Sequence, residues 1–191
     1  MGILTWRWRM PSGLLVLALS APMPALAKSP VEIEAQRFPA RMLAMHNAER
    51  VAVGVAPLVW DSALGTQAAK YAVRLALSRR FAHSEPSARG GTGENLWMGT
   101  RKAFSLEAMV GSWTSEKRMF KPGVFPAVSR TGNWHQVGHY TQLVWPKTQR
   151  VGCALATNSG EDYLVCHYWP AGNVHGGPLH VRPQLAALRR R

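Results

Sequence analysis

The chain has 191 residues, with 23 Lys and Arg against 10 Asp and Glu and a net charge of +13. That length supports one domain with tails, and 47% apolar against 17% charged residues supplies a core and excludes disorder throughout. No repeat or long apolar run is present, which excludes collagen, coiled coil and polytopic membrane proteins. The basic excess leaves nucleic acid, anionic membrane surfaces and acidic envelope polymers as partners to weigh.

Residues 1–27 read as a signal peptide. Arg7 and Arg9 form a basic start, and Leu14 to Ser20 an apolar stretch too short to span a bilayer comfortably. Ala25-Leu26-Ala27 then offers the small residues a signal peptidase reads, so cleavage after Ala27 is expected. An uncleaved anchor or a misplaced start is the alternative. Residues 28–181 form the domain. Arg37 to Val53 carries Met42, Met45 and Ala48 or Glu49 at three-to-four spacing, which predicts a helix with Pro39 in its first turn. Asp61 caps a second helix to about Ser78, and Ser105 a third to about Phe120. Residues 82–93 and 122–138 read as Gly- and Pro-containing loops. His139–Trp145, Arg150–Thr157 and Tyr163–Trp169 read as strands. Helices first and an antiparallel sheet last predict an α+β fold. Residues 182–191 form a basic tail with four arginines. Two of the +13 charges lie in the signal and four in the tail, leaving +7 on the domain.

Cys153 and Cys166 are the two cysteines. Asn158-Ser159-Gly160 is a turn signal between two apolar runs, and a hairpin centred there sets one cysteine opposite the other. Export favours oxidation, so a cross-strand disulfide is expected, with a pair of buried thiols as the alternative. Seven histidines are present, but none lies in a compact metal motif, and no phosphate loop or nucleophile elbow occurs. Taken alone, His83, Glu94, Glu116 and His139 read as structural. Composition and spacing reach no further than an exported basic domain.

Two longer segments add a resemblance. Gly138-His-Tyr-Thr-Gln-Leu-Val-Trp145 and Tyr163-Leu-Val-Cys-His-Tyr-Trp-Pro-Ala-Gly-Asn173 resemble the signature segments of the CAP superfamily. That superfamily holds the cysteine-rich secretory, insect-venom-antigen and plant pathogenesis-related proteins. His46-Asn-Ala-Glu-Arg50, Val59-Trp-Asp61, Phe81-Ala-His-Ser84, Gly93-Glu-Asn95 and Trp113-Thr-Ser-Glu-Lys117 are similar too, in the family's order. The likeness runs from about Met42 to Pro178 and is greatest to the plant type, in a minimal version without the extra cysteines.

The resemblance implies a three-layer α-β-α sandwich with a central antiparallel sheet and a cleft. Two histidines and two acids meet in that cleft in the family, and by motif they fall on His83, His139, Glu94 and Glu116. Two imidazoles would hold a divalent metal such as Zn²⁺, with the glutamates orienting them or acting as base on bound water. The alternatives are a structural polar network and a metal-dependent hydrolase. Trp134 and His135 resemble the family's lipid-contacting segment, which implies a sterol or fatty-acid ligand. Phe125, in Val124–Val128, would line that pocket or belong to a packed loop. Gly172–His180 lacks the Pro-Tyr ending of the plant members, which weakens any reading as a source of a signalling peptide. The tryptophans sit in packing motifs, so a nucleic-acid platform is not expected. The implied protein is secreted or periplasmic and binds a metal and a small ligand. An adhesion module on anionic envelope surfaces is the further alternative.

Overall fold

The computed structural model describes residues 30–181 and Gly2, with side chains from Arg37 onward. The expected signal peptide and basic tail lie outside the described residues. Helix α1 spans Pro30–Ala52 and carries Pro39 in its interior. The sequence reading placed the start too late: Pro30, not Pro39, is the proline of the first turn. Pro39 therefore lies inside the helix, where it has no N–H to bond back one turn. Helix α2, Ser62–Ser78, begins where Asp61 accepts from the N–H groups of Ala63 and Leu64. Ser105 caps α3, Leu106–Ser115, through the Ala108 N–H. That helix ends earlier than expected and tightens into a 3₁₀ turn at Glu116–Arg118.

Four strands make the main sheet: β1 Val59–Trp60, β2 Gly93–Thr100, β4 Arg150–Thr157 and β5 Glu161–Trp169, in the order β1-β4-β5-β2. β4–β5 and β5–β2 are antiparallel, and the short edge strand β1 runs parallel to β4. A second, two-stranded sheet pairs β3, Gly123–Val124, with β6, Pro178–Leu179. The expected strand at His139–Trp145 is instead helix α4, Gly138–Leu143. Its run Tyr140-Thr-Gln-Leu143 is buried all round, and a short apolar run does not tell strand from buried helix. Strand β2 went unread because glycines interrupt it and no β-branched residue precedes Thr100.

Strand alternation divides the core in two. Tyr163 and Val165 of β5 join Leu96 and the α2 residues Ala68, Ala72 and Leu75. Leu164, Cys166 and Tyr168 face the opposite way, toward Met42 of α1, Met109 and Trp113 of α3, and Leu143 of α4. This is the three-layer α-β-α arrangement. Cys153 and Cys166 are register partners and form the disulfide. α2 lies close on the sheet because of glycine: a Cβ on Gly152 would collide with the backbone of Asp61, Leu64 and Gly65.

Arg50 is buried and ties the layers together without a carboxylate. Its guanidinium donates to the carbonyls of Ala56, Leu143, Trp145 and Thr148 at 2.7–3.0 Å. The carbonyls of Leu143, Trp145 and Thr148 end α4 and shape the turn into β4, where no helical partner remains for them, and that of Ala56 lies in the loop between α1 and β1. Burial lowers the Arg50 pKa to about 10, so it stays charged at neutral pH.

Candidate functional site

A cleft of about 530 Å³ opens beside the start of β2, and His83, Glu94, Trp134 and His139 all line it. The four residues implied by motif fall into two pairs. His83 Nδ1 lies 2.7 Å from Glu94 Oε1, and His139 Nδ1 lies 2.6 Å from Glu116 Oε1. Each carboxylate also takes a backbone N–H next to its histidine: Ser84 donates to Glu94 at 3.0 Å, and Tyr140 to Glu116 at 3.0 Å. The pairs are thus built alike, one from the loop before β2 and one from the start of α4.

Glu94 is the more deeply held. Its side chain is fully buried, and Oε2 accepts from the Ser84 hydroxyl at 2.7 Å and from His167 Nε2 at 3.2 Å. Burial pushes its pKa up, but hydrogen bonds from His167, His83 and Ser84 outweigh that and hold the carboxyl well below the usual range. His167 is the residue the sequence reading missed. It lies within the second signature segment as register partner of Glu94. Its one visible signal was a polar residue in the buried run Tyr163–Tyr168.

Packing fixes His139. Its ring stacks on Trp113 with centroids 6.0 Å apart and planes 16° apart, and its carbonyl accepts from Asn95 at 3.1 Å. Asn95 also donates to the Tyr168 hydroxyl, which donates to His46 Nε2 at 2.9 Å, while His46 Nδ1–H donates to the Met42 carbonyl. Burial lowers the His46 pKa to about 4, so His46 is neutral and belongs to the support of the cleft.

Both cleft histidines place Nδ1 on a carboxylate, which directs the Nδ1–H there and leaves Nε2 as the lone-pair nitrogen. That is the tautomer a metal-ligating histidine needs, with the carboxylate orienting the ring. The residues therefore fit a divalent ion. Among the described residues, one set of three potential ligand side chains closes within 4.8 Å: His46, Cys153 and Cys166. It is not a metal site. The sulfurs are joined to each other and provide no thiolate, and His46 is fully engaged. Of the residues read for ligand binding, Trp134 lines the cleft, stacked on His135 at 3.9 Å. Phe125 is only 2% exposed and packs against Trp134, Trp145 and His175. It supports the wall from behind, as in the packed-loop alternative.

Residues 43–168 match the model of the cysteine-rich secretory protein (CAP) family. Pathogenesis-related leaf protein 4 of Solanum lycopersicum is 38% identical over 144 residues, covering 75% of this chain and 84% of that protein. Pathogenesis-related protein 1 of Arabidopsis thaliana is 38% identical over 141 residues, covering 73% and 81%. Among solved structures, that of NaASP2 with Zn²⁺ superposes with a TM-score of 0.61 at 28% identity, covering 75% of this chain and 85% of that one.

Proposed function

Since the chain belongs to the cysteine-rich secretory protein family, we propose that it is an exported binding domain whose cleft holds a divalent metal on His83 and His139. One observation carries this reading: both rings are tied through Nδ1 to a carboxylate, at 2.7 and 2.6 Å. That tie leaves two Nε2 lone pairs for a borderline metal such as Zn²⁺. NaASP2, solved with Zn²⁺, is a relative of the same fold and supports that choice of ion. The metal would supply an electrophilic centre with open positions, where a small ligand's oxygen or nitrogen could bind. Trp134, at the same cleft, would offer an apolar surface to that ligand's body, and a sterol or fatty acid fits that role. Export rests on the family and on the signal read at residues 1–27, and a disulfide suits an oxidising compartment.

Binding is favoured over hydrolysis. Two protein ligands give a weaker site than the three of most catalytic zinc centres. Both oxygens of Glu94 are engaged and its carboxyl is held ionised, which suits orienting a ring better than shuttling a proton. Calorimetric Zn²⁺ titration of wild type, His83→Ala and His139→Ala tests the reading. Saturable binding that either substitution abolishes is expected; equal binding by all three proteins would sink it.

A further inference from the structure

On the α2 side of the sheet lies a second pocket of about 480 Å³, sharing only Arg89 and Thr92 with the cleft. Its wall is cationic. Lys70 and Arg74 stand one helical turn apart on α2 and are exposed, and neither makes an ion pair among the described residues. Nothing on α2 offsets them, because Ser62–Ser78 contains no acid. Like charges at that spacing repel and weaken a helix, so an uncompensated pair lining a concave surface suits an anion. Arg89 and Arg150 complete the wall. Arg150 is partly neutralised by Asp61 at 2.9 Å and lies over the Trp169 ring at 4.4 Å. Arg89 has one guanidinium nitrogen 3.9 Å from Glu94, and its buried Nε has no partner.

A second observation narrows the ligand. His167 also lines this pocket. Its side chain is 6% exposed, and its Nδ1 is buried without a hydrogen-bond partner. Since Nε2–H donates to Glu94, Nδ1 of the neutral ring is an acceptor and needs a donor. Cations alone would accept any anion; a neighbouring buried acceptor asks for a hydroxyl on the same ligand.

We propose that this pocket is a separate binding site for a phosphate monoester carried on a hydroxylated body, such as a polyol or sugar phosphate. Lys70 and Arg74 take the phosphate oxygens through charge-assisted hydrogen bonds, Arg89 and Arg150 raise the local potential, and His167 accepts from a hydroxyl. The site shares no metal ligand with the cleft, so it stands or falls independently of the metal reading.

The test is calorimetry of the full chain with glycerol 3-phosphate, beside sedimentation with phosphatidic acid vesicles in a phosphatidylcholine background. The variant is Lys70→Ala/Arg74→Ala, which removes two exposed charges and adds good helix formers. Saturable glycerol 3-phosphate binding is expected, weakened about tenfold or more by the double substitution and by raised salt. Binding confined to the vesicles and lost in the same variant supports the phosphate contacts and assigns them to a lipid headgroup, but overturns the hydroxyl contact, because the body of phosphatidic acid carries no free hydroxyl. Sulfate has no O–H to give His167 and should bind several-fold more weakly; equal affinity overturns the hydroxyl contact. No saturable binding to either probe, or binding the Lys70→Ala/Arg74→Ala protein retains in full, overturns the site.

Discussion

Glu94→Gln is the substitution that separates a carboxylate from a shape at the cleft. Gln has the same outline, but one of its two polar atoms becomes a donor. Glu94 now accepts four hydrogen bonds, from His83, from both Ser84 groups and from His167. The Ser84 hydroxyl can rotate to accept from an amide, whereas the His167 Nε2–H would face another N–H. Hydrogen bonds to a charged group are each worth about 1.5–3 kcal/mol, and losing one or two gives an expected destabilisation of roughly 2–4 kcal/mol at pH 7. The pH dependence is a sharper test. The Glu94 pKa is depressed on folding, so its stabilisation is complete above the unfolded value of 4.5 and drains away as pH falls toward the folded one. At pH 3, about 1.5 units below the unfolded value, wild type has lost roughly 2 kcal/mol of that advantage at about 1.4 kcal/mol per unit. Gln does not titrate, so other groups cancel in the difference between the two proteins. Urea unfolding at pH 7 and pH 3 should show the gap narrowing by that amount. A gap that stays constant, or a variant as stable as wild type, refutes the account of Glu94 as an ionised anchor.

Four further variants test the frame that holds the site. Arg50→Leu strands three buried carbonyls and the part-buried one of Ala56 and should cost about 3–5 kcal/mol in denaturant unfolding; a loss under 1 kcal/mol would show that those carbonyls find other partners. Gly152→Ala forces α2 off the sheet and should cost about 1–3 kcal/mol, visible as a lowered Tm, whereas Gly111→Ala, where a Cβ meets nothing within 4 Å, should be neutral or stabilising. Cys153→Ala/Cys166→Ala opens a loop with a sequence separation of 13 and should cost about 3 kcal/mol; an unchanged urea midpoint would refute the disulfide's contribution.

Local chemistry was the legible part of the chain. Asp61 and Ser105 announced their helices because a cap needs only a side-chain oxygen beside the first turn. The Asn158-Ser159-Gly160 turn fixed the Cys153–Cys166 register for the same reason. Long-range placement was not legible. His139 and Glu116 are 23 positions apart, and His83 and Glu94 are 11 apart; the partners of each pair lie on different elements, so no helix or strand period links them. Their pairing was available only through the family motifs. The motif that contains α4 was read as a strand, because so short a segment has too few residues for its period to tell strand from buried helix.

The same motifs hold different kinds of residue, and the structure sorts them. In His46-Asn-Ala-Glu-Arg50, His46 and Arg50 are fully buried, Asn47 clamps Leu58 through both its carbonyl and amide, and Glu49 pairs with Lys117. That segment is scaffold, and its presence argues for the fold rather than for any chemistry. Tyr163–Asn173 is mixed: Tyr168 supports the cleft through Asn95, while His167 one position earlier points the other way, to Glu94 and the cationic pocket. Strand alternation makes that division unavoidable, since neighbours on β5 must face opposite layers. Glu94 therefore stands between two pockets, with His83 in one and His167 in the other. A ligand that moved His167 would be felt at His83 through a single carboxylate, which makes Glu94 the first place to look for coupling between the two sites.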